Sequence, residues 1–255
     1  MRERAPGSRD RGGLPRGLRW AIAGVYLIFW IGGLGSYLML GGPPEGSEWA
    51  APMFLWIGGA LMAAQYAPRD AGKLVIVGIA GWASEWLGVR TGIPFGSYHY
   101  TDALGPAIAG APLAMIPAWI LLAGYARAVL GDTDRRGRWA AALLGAGWMT
   151  AVDLIIDPLA AGPLGYWAWD HKGAYFGIPA TNFAGWMLVS AVLLAFLGPV
   201  RAARGAKWTG ASIVAFFSVI AAGTAGYVWV AVIGALLLAL QATIARRTGV
   251  ASSAG

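Results

Sequence analysis

Residues 208–245 read WTGASIVAFFSVIAAGTAGYVWVAVIGALLLALQATIA, a stretch with no charged side chain. As a single helix at ~1.5 Å per residue it would be about 55 Å long, well beyond a ~30 Å hydrocarbon core. Ala222-Gly223-Thr224-Ala225-Gly226 near its middle has the composition of a turn, so the stretch reads as two short spans. Upstream, apolar stretches of spanning length fall at roughly 20–40, 50–67, 73–89, 111–130, 139–157 and 183–200. The reading is an all-α, polytopic transmembrane helix bundle of about eight spans, or seven if residues 208–245 are not divided.

Composition agrees. The chain is 58% hydrophobic and 12% charged, where a soluble domain carries about 25% charged residues. No polar linker divides it, so one transmembrane domain is expected over 20–245, between a basic tail, 1–19, and a short tail, 246–255. The run Trp20–Leu40 is too long for a signal-peptide core and lacks an A-x-A site, so it reads as a retained span. The absence of cysteine excludes disulfides, thiolate metal sites and cysteine nucleophiles.

The net charge of +7 could serve nucleic acid or lipid, and its distribution decides for lipid. With eight spans and a cytoplasmic N-terminus, seventeen of the nineteen Lys and Arg fall on the inner side. They are Arg2, Arg4, Arg9, Arg11, Arg16 and Arg19, Arg69 and Lys73, Arg127, Arg135, Arg136 and Arg138, Arg201, Arg204 and Lys207, and Arg246 and Arg247. Only Arg90 and Lys172 remain outside. Seven spans would put Arg246 and Arg247 outside as well. The expected location is the inner (plasma) membrane with both termini cytoplasmic. Membrane lipid is an expected partner and nucleic acid is not.

Three carboxylates fall within predicted spans: Glu85, Asp153 and Asp157. An acid at a helix centre costs roughly 2.5–3.5 kcal/mol on insertion, so each needs a reason. Asp153 and Asp157 share a helix face, and Trp148 lies about one turn before them. Trp82 and Trp86 flank Glu85. All three acids lie toward the outer side, where two long connections, 88–110 and 158–182, are rich in Gly, Pro and aromatics. The first contains Gly92-Ile93-Pro94-Phe95-Gly96-Ser97-Tyr98-His99-Tyr100. The second contains Gly165-Tyr166-Trp167-Ala168-Trp169-Asp170-His171, then Tyr175 and Gly177-Ile178-Pro179, leading to Asn182 and Trp186. An aromatic belt at the headgroups would scatter its rings over the helix ends. Rings clustered with Gly and Pro in two loops fit a shaped pocket better.

The G-I-P-F-G-x-Y-x-Y…L-G-P loop, together with D-x-x-x-D-P, G-Y-W-x-W and G-x-Y-x-G-I-P-x-x-N, resembles the membrane carotenoid hydratases over roughly residues 80–190. That family includes the bacterial γ-carotene/lycopene 1′,2′-hydratases and the archaeal bisanhydrobacterioruberin hydratase. The resemblance implies addition of water across the terminal isopropylidene double bond of an acyclic carotenoid, giving a tertiary alcohol. Substrates of the lycopene, γ-carotene or bisanhydrobacterioruberin type follow from it, with other carotenoid enzymes as candidate partners. Such chemistry needs an acid to protonate the alkene, π-faces to stabilise the tertiary cation, and a base to orient water. Glu85, Asp153 and Asp157 are the acid and base candidates. Trp82, Trp86, Tyr98, Tyr100, Trp148, Trp167, Trp169, Tyr175 and Trp186 are candidates to line the substrate site, with His99, His171 and Asn182 as polar partners. Hydration is redox-neutral, so neither cofactor nor metal is expected.

Other classes fit less well. A di-iron hydroxylase needs a histidine-rich site, and the chain has two histidines. A retinal protein needs a lysine in mid-helix, and Lys73, Lys172 and Lys207 lie at span ends or in loops. A proton-coupled transporter or a carotenoid-binding membrane protein remains the alternative.

Overall fold

The computed structural model describes residues 14–130 and 137–253, with side chains up to residue 246. Arg2, Arg4, Arg9, Arg11, Arg135, Arg136 and the side chain of Arg247 lie outside the described residues. Eight helices run through the described residues: α1 (Arg16–Leu40), α2 (Ala50–Ala63), α3 (Pro68–Thr91), α4 (Met115–Leu130), α5 (Arg138–Ala161), α6 (Ala180–Leu197), α7 (Gly205–Gly223) and α8 (Val228–Ser253). The chain is a helical membrane bundle. Five helices, α1, α5, α6, α7 and the Val228–Arg246 part of α8, are long and apolar enough to cross a bilayer. Helices α2 and α4 are apolar but shorter. The division of residues 208–245 falls where the turn composition placed it, with α7 ending at Gly223 and α8 starting at Val228.

Local chemistry sets the boundaries. Helix α3 opens on Pro68 with Asp70 in its first turn and closes on Gly92, whose φ of 73° is left-handed. Helix α5 does not end at Asp157-Pro158, as the sequence reading has it, but runs on to Ala161. Pro158 has no N–H to give the carbonyl of Leu154 one turn back. That carbonyl instead accepts the Tyr175 hydroxyl at 2.8 Å, so the helix passes its proline and anchors the following loop at once. Arg127, counted with the inner loop segments, lies within α4, where it is buried and donates to the Leu194 carbonyl near the end of α6.

Small residues bring the helices together, as expected where lipid removes the hydrophobic drive for association. A Cβ at Gly81 of α3 would lie 2.3 Å from the indole of Trp119 on α4. The missing side chain is what lets that indole lie against α3.

The two long connections are not independent loops. Strand β1 (Tyr98–Tyr100) and a second short strand, Trp167–Trp169, form an antiparallel pair with Tyr98 opposite Trp169 and Tyr100 opposite Trp167. In chain order Trp167–Trp169 is β4, because β2 (Ala107–Ile108) and β3 (Ala111–Pro112) form a small hairpin between them. Residues 111–114, taken with the fourth apolar stretch, therefore precede α4 rather than belong to it. The β1–β4 pair ties the α3–α4 connection to the α5–α6 connection at one end of the bundle.

Candidate active site

The period-two geometry of β1 sorts its side chains. Tyr98 is buried and Tyr100 half-buried, while His99 between them is exposed. Both tyrosines aim at the same carboxyl. Glu85 Oε2 accepts from Tyr98 Oη at 2.5 Å and Tyr100 Oη at 3.0 Å, and Oε1 accepts from Trp119 Nε1 at 3.2 Å. Three neutral donors from two different elements converge on Glu85.

Asp153 and Asp157 form the second half of the site. Asn182, in the first turn of α6, donates through Nδ2 to Asp153 Oδ2 at 2.9 Å and to Asp157 Oδ2 at 2.6 Å. Trp167 Nε1 donates to Asp157 Oδ1 at 2.7 Å. The four polar residues are sealed in: Glu85 is 4% exposed, Asp153 3%, Asp157 1% and Asn182 2%. Buried acids that share donors in this way form a network rather than separate solvated ends.

Rings join the halves. Tyr98 meets Trp169 at 5.0 Å between centroids, and Tyr100 meets Trp167 at 5.7 Å. Trp119 stacks on Trp186 at 4.6 Å with 11° between planes. Burial pushes the Tyr98 and Tyr100 phenols up, reinforced by the Glu85 carboxylate each one faces; Asp157 adds a smaller push on Tyr98. The Tyr175 phenol is pushed up to about 12 by burial, then by Asp153 and Asp157.

A cavity of about 680 Å³ lies beside this network, in the size range of small-molecule sites. Its walls come from α1, α2, α4, α5, α6 and α7 and from the loops at the same end of the bundle. They are mostly apolar, with Leu121, Leu122, Ile156, Phe216, Trp167 and Trp186 among them. Asp153 also lines it. Asp153 is thus held by Asn182 and faces the cavity. Neither Asp157 nor Glu85 is part of the lining.

The structure thus brings together Glu85, Asp153, Asp157, Tyr98, Tyr100, Trp167, Trp169, Asn182 and Trp186. Tyr175 stands next to them, its hydroxyl occupied by Leu154. Other candidates point elsewhere. Trp82 donates to the Ala111 carbonyl at 3.3 Å, and Trp86 lies under the Arg90 guanidinium at 5.3 Å. Trp148 packs its ring against Tyr125. His99 pairs with Asp170 at 3.2 Å, but both are exposed, and His171 is exposed too. Sequence reasoning missed Trp119, which is fully buried. Its signal was available: an indole in mid-run must find an acceptor for its N–H. Tyr166 and Tyr37 were also missed; their hydroxyls meet at 3.3 Å and both line the cavity.

The fold and site define a polytopic helical membrane protein with a buried three-carboxyl, aromatic site beside an apolar cavity. The chain belongs to the carotenoid biosynthesis protein family, which it matches over residues 51–250. It is also 33% identical over 129 residues to the bisanhydrobacterioruberin hydratase of Haloarcula japonica, a match covering 49% of this chain and 43% of that protein. The similarity therefore spans less than half of that relative's length. No solved structure matches the chain.

Proposed function

We propose that this protein is a carotenoid hydratase, adding water across the terminal isopropylidene double bond of an acyclic end group to give a tertiary alcohol. The observation that carries this reading is the buried carboxyl of Asp153 in the wall of a mostly apolar cavity, coupled through Asn182 to a second carboxyl; the other acid of the lining, Glu48, is exposed. The family and the hydratase relative point to the same substrate class.

Protonation of the less substituted alkene carbon by the Asp153 carboxyl leaves a tertiary cation, and Asp153 becomes a carboxylate. Trp167 and Trp186 present rings to the cavity, and one desolvated cation–π contact is worth about 2 kcal/mol. Water adds to the cation and its proton returns to the aspartate pair, so the pair ends the cycle as it began. Asp157 sets the charge and orientation of Asp153 through the shared amide. Glu85 is a positioning residue: it lies off the cavity wall, holds β1 through two phenols, and fixes Trp119 beneath Trp186.

The substrate is of the lycopene, γ-carotene or bisanhydrobacterioruberin type, with other carotenoid enzymes as partners. The protein crosses the plasma membrane eight times, α2 and α4 as short spans, with both termini cytoplasmic. Residues 20–245 form one transmembrane domain between the basic tail of 1–19 and the short tail of 246–255.

Expression in a lycopene-producing host with mass analysis of the pigments tests the reaction. A gain of one water per reacted end is expected. A gain of one oxygen would indicate a hydroxylase, and unchanged pigment a binder or transporter. Because the reaction is redox-neutral, purified enzyme is expected to turn over anaerobically, without nicotinamide and with a chelator present. Loss of activity on chelation, restored by a divalent metal, would overturn the simple acid–base account.

A further inference from the structure

Helix α1 has an unusual place in the bundle. Of its residues Arg16–Leu40, only Tyr26 is buried, so it contributes little to the core. It is nevertheless held at defined points. Tyr26 Oη and Ser212 Oγ lie 2.8 Å apart, Trp30 Nε1 donates to the Ser212 carbonyl at 2.9 Å, and Tyr37 reaches Tyr166 in the outer loop. Between these anchors α1 turns Phe29, Gly32, Gly33 and Ser36 to the cavity. The Ser36 hydroxyl is turned back onto the Gly32 carbonyl at 2.8 Å.

The two glycines differ. A Cβ at Gly33 would meet the Phe216 ring at 3.2 Å, so Gly33 serves the packing of α1 on α7. A Cβ at Gly32 would meet nothing within 4 Å. The same cavity is lined by Asp153, almost wholly buried and held by Asn182. The family match begins at residue 51, so Asp153, Trp167 and Trp186 lie inside it and α1 outside it.

We infer that α1 is the substrate-selecting wall of the cavity, and that Gly32 sets the room through which an acyclic isoprenoid chain passes on its way to Asp153. The inference rests on the hydratase reading for its ligand class. A side chain at position 32 has space to form and takes that space from the ligand. Misfit of a single methylene in an apolar site is worth roughly 10–200-fold.

The test uses the full-length protein carrying Gly32→Ala, Gly32→Leu or Gly32→Phe, with Gly35→Leu as control. Gly35 lies on the same helix, has equal steric freedom, and is not part of the cavity wall. Lycopene binding is read in detergent by quenching of tryptophan emission, and turnover by pigment mass. The expected result is a graded fall in both from Ala to Leu to Phe, roughly tenfold or more at Phe, with Gly35→Leu close to the parent. Binding and turnover unchanged in the Leu and Phe variants would overturn the inference and leave the hydratase reading standing. If the parent binds lycopene without adding water, the hydratase reading fails and the quenching series alone decides the wall. Should the Phe variant not accumulate, the Ala and Leu variants decide: no successive fall in binding overturns the inference. No quenching of the parent by lycopene overturns both.

Discussion

Asn182 of α6 bonds Asp153 and Asp157 of α5 through the same amide nitrogen, at 2.9 and 2.6 Å. Two carboxyls one turn apart on one helix are thereby indexed by a single residue of its neighbour. Replacing Asn182 by Leu keeps the approximate volume and removes both donations. A buried polar group left unsatisfied costs about 1–3 kcal/mol. Asn182→Leu is therefore expected to melt at a lower temperature and to lose turnover, while Asn182→Gln retains part of both. Parent-like melting and product formation in the Leu variant would show that the amide is dispensable.

Of the two acids that line the cavity, Glu48 is exposed and Asp153 is buried. A positioned proton donor is worth ~10²–10⁴-fold. Asp153→Asn is expected to lower hydration by at least roughly that lower bound, with protein still present in the membrane. Asp157→Asn alters the partner of Asp153 and is expected to fall between parent and Asp153→Asn. Normal accumulation and parent-like turnover in both variants would make the pair structural.

Glu85 is expected to behave differently. Glu85→Gln keeps an acceptor oxygen and the shape of the side chain, so it should retain more turnover than Asp153→Asn. Trp119→Phe removes the donor to Oε1 and leaves the stack on Trp186 nearly intact. It should lower the melting temperature with little change in which pigments are hydrated. Turnover lost in Glu85→Gln as completely as in Asp153→Asn, at equal protein level, would place Glu85 in the reaction itself.

The loop phenols give a pH signature. Free tyrosine titrates near 10, whereas Tyr175 is held up to about 12 and Tyr98 and Tyr100 are raised by burial and by Glu85. The folded protein keeps these protons where the unfolded chain sheds them. Their contribution to stability is thus complete below about pH 10 and declines as pH rises beyond it. Ultraviolet titration should show the parent ionising fewer tyrosines at pH 11 than the same protein in denaturant. Identical curves would mean that the phenols are not enclosed.

Cysteines placed at Ser97 and Ala174, both exposed, test the orientation. An impermeant maleimide added to intact cells should label each of them. Labelling only after permeabilisation would put the site on the cytoplasmic side.

Much of this was legible in the chain because lipid makes charge conspicuous. Glu85, Asp153 and Asp157 stood out as acids in apolar runs, and all three prove to be buried. The alternation Tyr98-His99-Tyr100 and Trp167-Ala168-Trp169 also carried a signal, since strand geometry puts the two rings of each triplet on one face. The pairing of the triplets depends on where the bundle places the ends of α3 and α5, which both pack on α4 and α6, and hydropathy does not encode that. Trp82 and Trp86 misled for a simpler reason. At i−3 and i+1 from Glu85, nearness in sequence says little about what each ring meets, and here one meets a backbone carbonyl and the other Arg90. The cavity was invisible because no single segment forms it.

The register of β1 on β4 has a consequence for how such a chain can change. Side chains alternate along a strand, so inserting or deleting one residue in either triplet would exchange inward and outward faces. Tyr98 and Tyr100 would turn to water, and His99 would turn toward Glu85. Substitutions in these two loops can therefore accumulate one at a time, while changes of length near the triplets must arise in compensating pairs or not at all. This end of the bundle tolerates a change of side chain more readily than a change of count.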